Sequence, residues 1–164
     1  MQAETRTREG QSDFDFLFGR WTVRNRRLRH PLSGSEEWYD FDASYRAIPL
    51  WDGKANLDEF IADTPYGRIE GLTLRLYDAA TATWSLYWAT SKNGLIVVPN
   101  VGAFNGGDGF GEFFSRETFD GRPIVCRYRW TKECEHGGCR WEQAFSPDDG
   151  ATWETNWIME FTRA

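Results

Sequence analysis

From Trp21 to Arg163 the chain alternates apolar and polar residues with a period close to two, interrupted at short intervals by turn residues. That is the spacing of strands with two unlike faces, not the 3.6 of a helix. The first run puts Trp21, Val23, Asn25, Arg27 and Arg29 on one face and Thr22, Arg24, Arg26 and Leu28 on the other. A turn cluster at 30–34 follows. The second run, 36–47, carries Trp38, Tyr39, Phe41 and Tyr45 and stops at the Pro49/Gly53 break. Residues 56–62 form a third run, closed by the turn at 63–67. Residues 69–77 place Leu72, Leu74 and Leu76 together, and 84–90 place Trp84, Leu86 and Trp88 together. Residues 97–104, broken by Pro99, predict a short or edge strand. Residues 110–119 and 124–131 flank Asp120-Gly121, a hairpin signal, and 139–146 and 152–163 form the last pair. The pattern predicts an all-β fold of about ten strands with hairpin-length connections. A roughly ten-stranded antiparallel up-and-down barrel fits best, because closure removes exposed sheet edges.

Ahead of the first strand, Ser12-Asp13-Phe14-Asp15 has the spacing of a helix start and Gly19 could end the turn, which predicts a short N-terminal helical plug. Residues 1–11 show no periodic pattern and are expected to be a disordered tail, leaving 12–164 as a single domain. Gly19-Arg20-Trp21 after a Phe-rich turn resembles the Gly-x-Trp opening of the calycins, the lipocalins and fatty-acid-binding-like barrels. The nearest likeness is to bacterial calycin-like families that begin Asp-Phe-x-x-x-Gly-x-Trp. The resemblance implies a closed barrel with a ligand inside. It also implies an arginine near the chain end packed over the Gly-x-Trp tryptophan, a place Arg163 could fill. Fatty-acid-binding relatives hold a carboxylate with interior arginines, which draws attention to Arg27.

Composition narrows the partners. The 164 residues carry a net charge of −6, which disfavours nucleic acid. No apolar run reaches the ~20 residues of a membrane helix, and residues 1–13 lack a signal-peptide core. Three cysteines fit a reducing cytoplasm better than a disulfide scaffold. Nine Trp and twelve Phe are enough rings to fill a barrel or to line a site for a flat ligand. A small molecule is the expected partner, without nucleic acid or membrane, and a homodimer stays open.

The inward-reading faces supply Asn25, Arg27, Glu59, Trp88, Tyr128, Trp130, Gln143 and Trp157 as ligand-binding candidates, aromatic walls with a few polar groups. Glu59, read between Leu57 and Ile61, is the expected interior carboxylate and a partner for Arg27. The leading reading is non-catalytic binding of a small organic ligand, anionic or aromatic. One alternative is an enzyme with Glu59 or Tyr128 as acid or base; another is a structural or interaction protein with a filled barrel. Ser146-Pro147-Asp148-Asp149-Gly150-Ala151-Thr152-Trp153 resembles the Asp-box of sialidases and other propeller proteins. Occurring once, it reads as a folded hairpin turn with Asp148 accepting backbone N–H bonds. Cys134, His136 and Cys139 fall short of a four-ligand zinc site and read as a loop. Neither His30 nor His136 lies in a predicted strand, so no haem ligand reaches the bore, and no cofactor is expected. No nucleotide-binding or hydrolase fingerprint occurs.

Overall fold

The computed structural model describes residues 10–95, 98–105, 109–133 and 137–164. One antiparallel sheet contains β1 Gly19–Leu28, β2 Trp38–Leu50, β3 Ala55–Thr64, β4 Gly67–Asp78, β5 Thr83–Thr90, β6 Gly94–Leu95, β7 Asn100–Phe104, β8 Phe110–Phe119, β9 Arg122–Thr131, β10 Cys139–Ser146 and β11 Glu154–Arg163. Ten of these strands follow one another around a closed barrel, with β4 on β5 and β11 back on β1. The remaining one, β6, is a two-residue addition to β5. The expected up-and-down order is therefore the observed one. No helix among the described residues is long and apolar enough to cross a membrane.

The expected helical plug does not form. A single 3₁₀ turn, Asp15–Leu17, enters β1, and its N-cap Phe14 has no side-chain capping bond. So short a segment favours a tight turn over a regular helix. The turn is nevertheless packed: Phe14 and Leu17 are fully buried, and Phe14 stands edge-on to Trp84 and Phe104 with centroids 5.1 Å away in each case. Of the predicted tail, residues 1–9 lie outside the described residues. Gly10 and Gln11 are docked. The Trp84 indole N–H donates to the Gly10 carbonyl at 3.0 Å, and the Gln11 amide donates to the Asp52 carbonyl at 2.9 Å.

Trp21 joins the turn to the barrel. Its indole N–H donates to the Leu17 carbonyl at 2.8 Å. The Arg163 guanidinium lies 3.7 Å from the Trp21 ring centroid and donates to the Phe18 and Phe16 carbonyls at 2.5 and 3.0 Å. Gly19 permits this close approach. Its φ is +111°, and a Cβ there would come within 2.7 Å of Arg163 Nη1.

Two strands face opposite to the simplest reading. On β3 Asn56, Asp58, Phe60 and Ala62 are buried on the inward face, and beyond the buried Ala55 at its start the alternate residues Leu57, Glu59 and Ile61 lie on the outer face. On β4 the bore receives Gly71, Thr73 and Arg75, and Leu72, Leu74 and Leu76 point outward. Alternation assigns residues to faces without saying which face is the core. The bore is filled mainly by rings, and position 71 must be glycine because a Cβ there would lie 2.1 Å from the Trp88 ring. The displaced aliphatics Ile48, Leu57, Ile61 and Leu72 line a groove of about 370 Å³ on the outside of the barrel, beside Glu59.

The β10–β11 connection is a hydrogen-bonded turn. Asp148 accepts the Thr152 backbone N–H at 2.8 Å and the Thr152 hydroxyl at 2.6 Å, while the Ser146 hydroxyl accepts the Gly150 N–H at 2.7 Å. Trp153 leaves the turn on the outside, under the Arg127 guanidinium at 4.4 Å. No residue from 146 to 153 lines the bore cavity, so the segment is a structural part of the hairpin.

Candidate functional site

Inside the barrel is a cavity of about 170 Å³. Its lower part is a buried polar network. Arg75 Nη2 and the Tyr45 hydroxyl both meet Asp58 Oδ2 at 2.5 Å, and Asp58 Oδ1 accepts the Thr73 N–H at 2.8 Å. Arg75 Nη1 donates to Asn56 Oδ1 at 2.9 Å. The guanidinium lies near two mutually perpendicular rings, with centroids 5.1 Å away at Phe14 and 5.6 Å away at Trp130. Burial alone would lower the Arg75 pKa, but Tyr45 and Asp58 outweigh it and raise it above the ordinary value. Burial first, with Asp58 beside it, pushes the Tyr45 phenol well up, so it stays neutral and donates. Asp58 is fully committed and is no free base.

The network is not complete. Arg75 Nε and Trp130 Nε1 are buried N–H groups without a partner among the described residues, and both side chains line the cavity. An unpaired buried donor costs roughly 1–3 kcal/mol, so an acceptor in the bore would be held firmly.

Rings form the walls. Trp157 packs edge-on against Trp141 at 5.5 Å and Phe60 at 6.1 Å, and Phe60 meets Trp88 at 6.1 Å. The Trp157 indole N–H donates to Asn25 Oδ1 at 2.9 Å, which fixes the ring from behind. Burial is the main cause that raises the Tyr128 phenol well above its ordinary value, leaving a neutral hydroxyl at the wall.

The end opposite the Phe14 turn carries the partly exposed lining residues Arg27, Trp88, Glu117 and Gln143. Arg27 lies over Trp157 at 4.2 Å, and its guanidinium has no ion pair or hydrogen bond among the described residues. The Gln143 amide donates to Asn156 Oδ1 at 2.8 Å. The β1–β2 connection covers one side of this end, with Leu32 against a cluster of Ile124, Cys126 and Phe145.

Of the sequence candidates, Arg27, Trp88, Tyr128, Trp130, Gln143 and Trp157 line the cavity. Asn25 is fully buried and reaches the site only through Trp157. Glu59 is a correction: it is exposed on the outer groove, and its neighbour Asp58 holds the interior place. Asp58 pairs with Arg75, not Arg27. Acid–base chemistry resting on Glu59 would therefore act in the outer groove and not in the bore. Sequence reading missed Arg75, Tyr45 and Glu117 as lining residues. Taking Phe60 instead of Leu57 and Ile61 as the inward marker of β3 brings in Asp58, and the same inversion on β4 brings in Arg75. Of the expected Cys134–Cys139 loop, residues 134–136 lie outside the described residues; Cys139 is buried. His30 is exposed in the β1–β2 connection. No protein-family model matches this chain, and no curated protein sequence does.

Proposed function

We propose that this chain is a calycin-like barrel that binds a small organic molecule in its bore without transforming it, in a reducing cytoplasm. The ligand carries a ring and an anionic group. The observation that carries the reading is Arg27, a cavity-lining guanidinium stacked on Trp157 with no counter-charge among the described residues. A carboxylate would supply that charge in a bidentate geometry. Below it, Arg75 Nε and Trp130 Nε1 offer two more donors. The volume fits: an apolar cavity of roughly 150 Å³ takes one benzene, and this one measures about 170 Å³. The Gly-x-Trp turn and the Arg163–Trp21 contact support the calycin-like part of the reading.

Benzoate is the direct probe, because four indoles surround the cavity and report on it. Saturable quenching of tryptophan fluorescence is expected, weakened at least about tenfold (~1.4 kcal/mol) by Arg27→Met. Benzoate that quenches no more than an equal concentration of chloride would sink the proposal.

A further inference from the structure

The reading above leaves one charged wall residue unused. Glu117 on β8 lines the same cavity, near the same partly exposed end as Arg27. Its carboxylate accepts the Ser115 hydroxyl at 2.6 Å and lies against the Cys126 thiol, and no cation pairs with it among the described residues. Burial and the Glu117 charge keep that thiol protonated, so it offers a weak hydrogen bond and no charge. Trp88, Tyr128 and Trp141 line the same cavity, and the attraction of a cation to an indole or phenol would add to that of a carboxylate.

Arg27 and Glu117 stand on opposite arcs of the wall, four strands apart by the shorter path through β11, β10 and β9. Ten strands spaced ~4.8 Å apart and tilted ~40° enclose a backbone ring roughly 20 Å across.

We infer that the barrel selects a zwitterion, an aromatic molecule whose carboxylate meets Arg27 and whose ammonium meets Glu117. The inference rests on the small-molecule reading proposed above and adds the second charge.

Three compounds sharing one ring separate the outcomes: benzoate, benzylamine and 4-(aminomethyl)benzoate, each titrated by calorimetry into the full chain. The zwitterion is expected to bind about tenfold or more tightly than either single-charge compound, at least ~1.4 kcal/mol. Glu117→Gln should erase its advantage over benzoate, and Arg27→Met its advantage over benzylamine. Near-UV circular dichroism and the urea midpoint check that the variants fold; where one does not, the wild-type comparison decides alone. Benzoate binding as tightly as the zwitterion, or an advantage that survives Glu117→Gln, overturns this inference and leaves the small-acid reading standing. If none of the three binds, both fall.

Discussion

The β1–β11 ladder has an arginine–tryptophan pair at each end, in opposite order. Trp21 of β1 faces Arg163 of β11, and Arg27 of β1 faces Trp157 of β11. Both guanidinium groups lie over the indole, at 3.7 and 4.2 Å. The resemblance stops there. Arg163 donates to two carbonyls of the 3₁₀ turn segment, so its hydrogen-bonding capacity is spent on closing the barrel. Arg27 has only the ring, beside a cavity. The same contact is structural where its donors are satisfied within the chain and available for recognition where they are not. Two ends of one strand pair thus have different tasks, and substitutions should separate them.

The largest loss is expected at the closed end. Trp21→Ala removes a buried ring, the bond to Leu17 and the surface under Arg163. Urea unfolding should show a loss of about 3–5 kcal/mol. A loss below 1 kcal/mol, measured against that ~3–5 kcal/mol scale, would mean the turn does not depend on Trp21. Between the ends, Asp58→Ala leaves Arg75 buried with its charge uncompensated and should cost a similar ~3–5 kcal/mol. Removing both charges, as Asp58→Leu with Arg75→Met, should recover part of that loss, because the pair's desolvation cost disappears with it. A double variant no more stable than Asp58→Ala would show that the Tyr45, Thr73 and Asn56 bonds matter more than the ion pair.

Much of the barrel was legible before any coordinates. Period-two alternation, short turns and the Asp120-Gly121 hairpin specify a meander, and a meander of about ten strands closes. The Arg163–Trp21 contact was legible only through the resemblance of Gly19-Arg20-Trp21 to a Gly-x-Trp opening, and the positive φ of Gly19 supplies its physical reason. Strand polarity on β3 and β4 was not. Leu72, Leu74 and Leu76 carry the strongest apolar signal in their strand, yet they lie on the outer face, while Trp88 packs over Gly71 on the inner one. A sequence of strands records which residues share a face, while which face is inside depends on ring packing between distant strands. The site was legible where β1, β5, β9, β10 and β11 were read in the right sense, and lost at Glu59 where β3 was not. Glu117 escaped notice because its strand alternates charges on both faces: Arg116 outside, Glu117 inside.

A smaller effect separates the two arginines themselves. Arg163→Ala should lower stability by roughly 0.5–2 kcal/mol, the range for a cation over an indole. It should leave benzoate affinity alone, because the contact is at the far end of the bore. Arg27→Ala should do the reverse, weakening benzoate with little change in the urea midpoint. Equal stability losses from the two would erase the distinction between the ends.

The smallest effect belongs to the β10–β11 turn, and its signature is pH dependence. Bonds from the Thr152 hydroxyl, the Thr152 backbone and Ser146 hold the Asp148 pKa below its ordinary 3.8. A carboxyl with a lowered folded pKa contributes stability above its unfolded value and loses that contribution as pH falls through the folded one. Asp148→Ala should therefore reduce the thermal midpoint by a nearly constant amount from neutral pH down to roughly pH 5. The difference from wild type should then shrink below 3.8 as the wild-type carboxyl takes up its proton. Asp148 is exposed and remote from the cavity, so benzoate binding should not follow this titration. A midpoint difference that stays constant into strong acid would show that the turn depends on the shape of the side chain and not on its charge.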